Sequence, residues 1–392
     1  MLARFSRALL VAAGLAGLGG TAMAQSAPPV KIGFSIAKTG LFAAAAPSQL
    51  TAYELWRDQV NAKGGLDVGG TKRRIEFVQY DDQSDPSQAV RIYEKLANDD
   101  KVDLLLAPWG TPHHFALAGV LERLKFPMVG NSAASSQLRD IKPGYIWFPT
   151  SAIPDRMATE LATMMKGQGV KTAAVTGVQL PFSIEIRKFL MPALEKAGIK
   201  VVVSQEYPPD AKDLTAVLTQ VRNAKPDAIL SLSYPNDSVG FMTQAKELGV
   251  SAPFQFVLVG PTIDFFPKMF GPAADGLITI GHWSPHQKAW PRAKPFFDAY
   301  VAKFNARPDY LDTALAYMSC EILEQAVAKS GLDREKLRAA IAGGTFDTIN
   351  GPVKFDGVQN AITPTAFLQI QKGEFHLVWP KTVATSDFQP RK

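Results

Sequence analysis

Short apolar segments alternate with segments of helical periodicity along most of this chain, and that alternation constrains its fold more than any other feature. The first run has predicted strands at residues 30–36, 74–80, 102–107 and 127–130, separated by predicted helices at 49–62, 85–98 and 112–124. Strands that alternate with helices of this length are typical of βαβ units, in which helices cover both faces of a parallel sheet.

The alternation restarts after Ser151. The second run has predicted strands at 172–175, 201–204, 228–232 and 256–259, and predicted helices at 154–167, 183–197, 212–224 and 237–248. A tail follows with helices near 293–305, 310–330 and 333–342 and short strands near 353–355 and 366–371. At roughly 100–200 residues per domain, 392 residues favour two lobes over one, so we predict an α/β protein with two doubly wound parallel-sheet lobes.

Residues 1–24 have the three parts of a secretory signal peptide. Arg4 and Arg7 precede an uncharged stretch at residues 8–20, and Ala22-Met23-Ala24 forms a cleavage pattern of small residues. The apolar stretch is shorter than the roughly 20 residues that span a bilayer, which argues against a membrane anchor. We therefore predict cleavage after Ala24 and export of a soluble protein. Because no cysteine follows the cleavage pattern, a periplasmic location is favoured over a lipid anchor.

Motifs of catalysis and metal binding are missing from the sequence. No strand is followed by G-x-S-x-G, by a G-x-x-x-x-G-K-[ST] phosphate loop or by G-x-G-x-x-G. The single cysteine, Cys320, excludes an internal disulfide and a cysteine cage for a metal. His282 and His286 have the spacing of a helical metal pair, but Pro285 disfavours a helix there. We expect neither enzymatic activity nor a metal or other cofactor.

Nucleic acid is a weak alternative as a partner. The formal net charge is +6, and the predicted leader carries two of those positive charges in Arg4 and Arg7. Basic residues cluster only at Lys72-Arg73-Arg74, which lies in a predicted turn entering a strand. A nucleic-acid footprint needs a denser basic patch, so this cluster is interpreted as a solvated edge.

A set of motifs at predicted strand and helix ends resembles the periplasmic branched-chain amino-acid-binding family, the type I solute-binding proteins of ABC transporters. The motifs are Lys31-Ile32-Gly33 with Thr39-Gly40, then Asn61-Ala62-Lys63-Gly64-Gly65, Tyr80-Asp81-Asp82 with Asp85-Pro86, and Gly351-Pro352-Val353 with Phe355-Asp356. Each motif is weak alone, but their order and spacing are fairly specific over residues 30–380.

The resemblance implies two lobes joined by three crossover segments, which close on a ligand in the cleft between them. The expected N-terminal lobe comprises 28–150 and 284–354, and the expected C-terminal lobe comprises 151–283 and 355–392. Ligands of open α/β sheets lie outside the carboxyl ends of the strands, which places the loops after residues 36, 107, 130, 175, 232 and 259 around the cleft.

The resemblance also assigns the residues that hold the ligand. Two loops would bind its carboxylate through backbone N–H groups and hydroxyls, at Trp109-Gly110-Thr111 and Ser132-Ala133-Ala134-Ser135. For Thr111 a plain helix N-cap is the alternative role, and for Ser132 a turn serine. Phe182 and Tyr234 match family aromatics on the opposite wall, with core packing as the alternative, while Phe42 and Trp109 add ring surfaces.

Two departures from the family pattern bear on the ligand. The position that carries an acid to pair the ligand ammonium falls near Thr262, although residues 251–258 contain an apparent insertion that makes the alignment there ambiguous. An ammonium without an anionic partner would be costly to desolvate. Small residues around Ala45 replace a family aromatic and leave room for a bulky ligand.

The sequence therefore predicts a monomeric, non-enzymatic solute receptor of an ABC importer, which docks on an inner-membrane permease after closing by a hinge motion. Its expected ligand is a small carboxylate, an aromatic or arylalkyl acid without an amine. Three alternatives stay open: binding of a branched-chain or other hydrophobic amino acid, amide or urea sensing without transport, and an exported hydrolase.

Overall fold

The computed structural model describes residues 27–391. The predicted leader and its cleavage after Ala24 lie outside the described residues. No helix in the described range combines the length and the apolar character needed to cross a lipid bilayer.

Strands and helices alternate along the described chain. In chain order the elements are β1 (Val30–Ile36), α1 (Ala46–Ala62), β2 (Leu66–Val68), β3 (Thr71–Arg73), β4 (Ile75–Asp81), α2 (Pro86–Asn98), β5 (Leu104–Leu106), α3 (Thr111–Leu124), β6 (Met128–Val129), α4 (Ser136–Ile141), β7 (Ile146–Trp147), α5 (Pro154–Gly167), β8 (Thr172–Val178), α6 (Pro181–Ala197), β9 (Lys200–Tyr207), α7 (Thr215–Ala224), β10 (Ala228–Leu232), α8 (Pro235–Glu247), β11 (Phe254–Val257), α9 (Phe265–Phe270), β12 (Leu277–Ile280), α10 (Ala293–Phe304), α11 (Asp312–Ser330), α12 (Arg334–Gly343), β13 (Thr345–Thr348), β14 (Gly351–Asp356), β15 (Gln359–Asn360), β16 (Phe367–Gln371) and β17 (Glu374–Trp379).

The first sheet has the strand order β4-β1-β5-β6-β7, with every neighbouring pair parallel. Its central strands are continuously apolar: all three leucines of β5 are buried, as are the aliphatic and aromatic positions of β1. Such strands need helices on both faces of the sheet, and α1 and α2 both pack against β1.

The second sheet has the order β17-β16-β12-β11-β10-β8-β9. Strands β9, β8, β10, β11 and β12 are parallel, whereas β16 and β17 add an antiparallel edge. Together the two sheets confirm the predicted α/β class with two doubly wound parallel-sheet lobes.

The chain passes between the two sheets three times. It crosses from β7 to α5 at residues 148–153, returns after β12 at 281–292, and crosses again between β15 and β16 at 361–366. After the second crossing, α11 packs on α1 and against β6, so the C-terminal helices build on the first sheet. This arrangement confirms the three predicted crossover segments.

Several short elements differ from the prediction. The hairpin β2–β3 turns at Gly69 and Gly70, both with positive φ (59° and 91°), and its strands are too short to carry a visible alternation. The strand predicted at 256–259 is β11, which lies two residues earlier, and Leu258 and Val259 follow it as buried residues. Helix α9 and strands β12 and β17 were not predicted.

Candidate ligand-binding site

A narrow cavity with about 30 Å³ of free space lies between the two large sheets, at the carboxyl ends of their strands. Its walls come from the loops after β5, β6, β8, β10, β11 and β12, from the first crossover and from the start of α11. Its lining residues are Trp109, Gly110, Thr111, Ser132, Ala134, Thr150, Ala152, Phe182, Tyr234, Val259, Ile280, Leu311, Asp312 and Leu315. A mostly apolar wall with a few polar groups is typical of a small-molecule site.

The loop between β5 and α3 brings a backbone turn and a hydroxyl to the cavity. Gly110 has a φ of +90° and is the N-cap of α3, so the turn uses a backbone region that side chains disfavour. Thr111 is the first helical residue and makes no capping hydrogen bond; instead the backbone N–H of Ala134 donates to its Oγ1 at 3.4 Å. The N-cap role that the sequence left open for Thr111 therefore belongs to Gly110.

Hydrogen bonds join this loop to the one after β6. The backbone N–H of Gly110 donates to Ser132 Oγ at 2.9 Å, and Ser132 Oγ donates to Asn131 Oδ1 at 3.0 Å. His114 bridges the same two loops, with its Nδ1 2.8 Å from the carbonyl oxygen of Gly110 and the N–H of Asn131 donating to its Nε2 at 3.4 Å. Burial lowers the pKa of His114 to about 4, so its ring is neutral at pH 7.

Aromatic rings from both lobes meet at one side of the cavity. Phe42 packs 4.9 Å from Trp109 and stacks at 6.3 Å on Tyr234, which follows β10 of the second sheet. Trp109 and Tyr234 form an edge-to-face pair at 6.2 Å. Phe182, in the first turn of α6, also lines the cavity, and its backbone lies beside the Tyr234 hydroxyl.

Most of the residues predicted to bind the ligand line this cavity: Trp109, Gly110, Thr111, Ser132, Ala134, Phe182 and Tyr234. Phe42 does not line it, because it supports Trp109 and Tyr234 from behind. Ala133 is fully buried between two lining positions. Ser135 and Thr262 do not line the cavity either.

Ser135 connects the two lobes rather than facing the cavity. It is the N-cap of α4, where its Oγ accepts a hydrogen bond from the N–H of Gln137 at 3.1 Å, and it donates to Glu185 Oε2 on α6 at 2.5 Å. Ser136 donates to Glu185 Oε1 through its backbone N–H at 2.9 Å and through its hydroxyl at 2.5 Å. The Glu185 carboxylate thus binds the first residues of a helix of the opposite lobe.

Thr262 is buried away from the cavity, and its hydroxyl faces the carboxyl group of Asp309 without forming a hydrogen bond. The N–H of Leu311 donates to Asp309 Oδ1 at 2.8 Å. Burial raises the pKa of Asp309, against the opposing effect of the Thr262 hydroxyl. The sequence pattern indicates no acid beside the ligand, whereas the structure places Asp312 in the cavity wall.

Asp312 is the charged residue of the cavity lining, and the sequence pattern does not reveal it. It begins α11, is only 3 % exposed, and accepts a hydrogen bond at its Oδ2 from Trp109 Nε1 at 2.9 Å. Burial, and then the nearby charge of Asp309, raise its pKa well above the usual value. One signal was available: α11 is apolar on nearly all sides, so an acid in its first turn had to be buried with it.

The histidines do not form a metal centre. His282 contacts two hydroxyls of the first crossover, with Nε2 3.1 Å from Thr150 Oγ1 and Nδ1 3.1 Å from Ser151 Oγ. His286 lies apart from it and stacks on His376 with 5.0 Å between the rings. Between residues 27 and 391, no group of three or more His, Cys, Asp or Glu side chains is arranged to hold a metal ion.

Residues 29–374 match the model of a protein family described as periplasmic binding protein. A curated relative is the leucine-, isoleucine-, valine-, threonine- and alanine-binding protein of Pseudomonas aeruginosa, which is 27% identical over 360 residues covering 90% of this chain and 92% of the relative.

Two solved structures have the same fold. One is the branched-chain amino acid transporter substrate-binding protein LivJ of Streptococcus pneumoniae in complex with isoleucine, with a TM-score of 0.80, 21% identity, and coverage of 88% of this chain and 97% of LivJ. The other is a solute-binding protein of an ABC transporter from R. palustris in complex with benzoate, with a TM-score of 0.79, 18% identity, and coverage of 93% and 97%.

Proposed function

This chain belongs to the periplasmic binding protein family, and from that premise we propose that it is the solute-binding component of an ABC importer that closes its two lobes on one small carboxylate. The observation that carries the proposal is the cavity itself. It is enclosed by strand-end loops of both large sheets, so a ligand inside it contacts both lobes at once. A ligand with that property favours the closed arrangement of the lobes over an open one.

The polar side of the cavity suits an anion. Thr111 lies at the start of a 14-residue helix, and its hydroxyl proton is free to turn toward a ligand because its Oγ1 already accepts from Ala134. The N-terminus of a helix attracts negative charge through its free N–H groups and its dipole. In the described chain no Lys, Arg or charged His lines the cavity, so these neutral donors would carry the carboxylate.

The apolar side suits an aromatic or arylalkyl body. Trp109, Phe182 and Tyr234 present ring surfaces, and Leu311 and Leu315 close the space between them. Rings packed on rings gain about 0.5–1.5 kcal/mol beyond the burial of area alone. The R. palustris solute-binding protein with benzoate supports this class of ligand.

A hydrophobic amino acid is the second candidate ligand. It is favoured by Asp312, an acid in the cavity wall that can face an ammonium group, and by the relative from Pseudomonas aeruginosa, whose name lists leucine, isoleucine and valine. Aromatic acids and branched-chain amino acids are therefore to be compared directly in the same assay.

The proposed partner is an inner-membrane ABC permease, and the proposed location is the periplasm, reached through the predicted leader. We propose that the protein acts as a monomer, without catalysis and without a cofactor. If this chain instead senses amides or urea without transport, it would bind neutral amides in the same cavity. An exported hydrolase would turn over an added ester or amide.

The Thr111→Ala variant tests the anion site. Loss of a hydrogen bond to a charged ligand group costs about 1.5–3 kcal/mol, so we expect the dissociation constant of the best carboxylate to rise roughly 10- to 100-fold. The measurement is the ligand-induced shift of the thermal unfolding midpoint, on protein that has been unfolded and refolded to remove bound ligand.

Thr163→Ala is the matched control, because Thr163 is an exposed threonine of α5 that bonds only to its own helix. This variant should keep the wild-type shift. An unchanged shift in Thr111→Ala would show that the anion does not bind at this loop.

A further inference from the structure

We propose that Asp312 is a specificity-determining residue, and that the ligand therefore carries, besides its carboxylate, a hydrogen-bond donor that Asp312 accepts. The inference deepens the proposed function and rests on it. The donor is an ammonium group of an amino acid or a hydroxyl group of a hydroxylated aromatic acid. Both groups carry a polar hydrogen that they can donate to the Asp312 carboxylate.

The Asp312 side chain is buried in the cavity wall. It is 3 % exposed and lines the cavity together with Thr111 and Trp109. Its Oδ2 already accepts from Trp109 Nε1 at 2.9 Å, and this bond fixes both the indole ring and the carboxyl group. Because Asp312 is buried at the wall, any ligand that fills the cavity removes the remaining water from this group.

Opposing electrostatic effects act on the Asp312 carboxyl group. An acid at the first residue of the 19-residue helix α11 is stabilised in its ionised form by the helix dipole, and the indole N–H acts in the same direction. Burial and the neighbouring Asp309 act against ionisation and raise the pKa of Asp312. A hydrogen-bond donor on the ligand would stabilise the ionised carboxylate, because it replaces the water that burial removes.

A ligand that has no hydrogen-bond donor would bind less tightly beside Asp312. A ligand without a donor would leave the Asp312 carboxyl group desolvated and short of a partner, and a buried polar group in that state is costly. Sites that hydrogen-bond one ligand group discriminate strongly against analogues that lack it, for the same reason. Asp312 thus selects among acids that the apolar walls alone would accept equally.

The test uses matched pairs of acids that differ by one donor: 4-hydroxybenzoate and benzoate for the hydroxyl group, L-phenylalanine and 3-phenylpropionate for the ammonium group, and L-leucine and 4-methylpentanoate for the ammonium group on an aliphatic body. Isothermal titration calorimetry on refolded, ligand-free protein measures each dissociation constant. We expect the wild-type protein to bind the donor-bearing member of at least one pair at least about tenfold more tightly.

Two variants identify the donor. In Asp312→Leu the two acids of a pair should have about equal dissociation constants. The acid without the donor should bind at least as tightly as it does to the wild type. In Asp312→Asn the amide oxygen still accepts a hydrogen bond but carries no charge. A preference for a hydroxyl group should therefore persist in this variant, whereas a preference for an ammonium group should disappear.

Asp298→Asn is the control, because Asp298 is an exposed acid of α10 that does not line the cavity. It should leave the ratio within each pair unchanged. The inference is overturned if the wild type binds every donorless acid as tightly as its partner, or if Asp312→Leu weakens both members equally. If no acid of the panel binds, the proposed function itself fails, and this outcome is distinct from binding without discrimination.

Discussion

Single residues set the geometry of the cavity, and His114 does so without facing the ligand. It holds the carbonyl oxygen of Gly110 and the N–H of Asn131, so it fixes the spacing of the two loops that would bind the carboxylate. Both contacts require a neutral ring, with Nδ1 as donor and Nε2 as acceptor. His282 has a similar role at the crossovers, where its two ring nitrogens contact Thr150 and Ser151.

The two buried histidines predict a loss of stability in weak acid. Burial lowers the pKa of each to about 4 from an ordinary value of 6.5. Below pH 6.5 the unfolded chain takes up protons that the folded chain does not, so the free energy of unfolding should fall as the pH decreases from 6.5 to 4. Each histidine contributes up to about 3 kcal/mol to this fall. Chemical denaturation at a series of pH values measures it.

Substitutions of single histidines test whether His114 and His282 cause this loss of stability. His114→Gln and His282→Asn should each flatten the decline between pH 6.5 and 4, even if they lower stability at pH 7. His286→Gln, at an exposed histidine, should leave the slope as in the wild type. Equal slopes in all four proteins would contradict the assignment.

At the scale of elements, the contact between α4 and α6 holds the two lobes together beside the cavity. Glu185 is 5 % exposed and accepts hydrogen bonds from both Ser135 and Ser136. A carboxylate at a helix start is favourable, and here the carboxylate and the helix belong to different lobes. Because the contact joins the two lobes, we expect it to stabilise their closed arrangement.

Replacement of Glu185 should shift the protein toward an open arrangement. In Glu185→Ala the two serine hydroxyls and the start of α4 lose their partner, and we expect the dissociation constant of the best ligand to rise about tenfold or more. Small-angle X-ray scattering should give a larger radius of gyration for the ligand-free variant than for the wild type. Glu195→Ala, an exposed acid on the same helix, is the control; an equal effect of both variants would contradict the role of Glu185.

Elements with a strong sequence pattern could be predicted, and those without one could not. The strand β10 and the helix α5 have the predicted bounds, because a buried apolar run and an amphipathic repeat with a proline at the first turn are local signals. Of the edge pair β16–β17, the sequence predicts only β16, because an antiparallel edge depends on pairing that no local pattern indicates.

The same distinction applies to the site. Gly110 and Thr111 follow a buried strand directly, so their place at its carboxyl end could be inferred from the sequence. Asp312 reaches the cavity only because α11, about 200 residues away from Trp109 in sequence, packs against the first sheet. Ser135 was assigned to the ligand because nothing local indicates that Glu185 would approach it from the other lobe.

At the scale of the whole molecule, the three crossovers are joined by hydrogen bonds, which positions the lobes around the cavity. Ser151 Oγ of the first crossover donates to the carbonyl oxygen of Pro364 in the third at 2.9 Å, and it also contacts His282 of the second. Thr365 donates to the carbonyl oxygen of Ser151. In the proposed closure, these bonded crossovers would form the hinge about which the two sheets move.

The central claim is that the cavity between these lobes binds the carboxylate of a small organic acid. Titration calorimetry of refolded, ligand-free protein with the best-binding acid of the panel, and then with the primary amide of the same acid, tests it most directly. We expect saturable one-to-one binding of the acid and at least about tenfold weaker binding of the amide, because the amide has no charge for the Thr111 loop to hold. Equal affinity for the amide, or no binding of any acid, would contradict it.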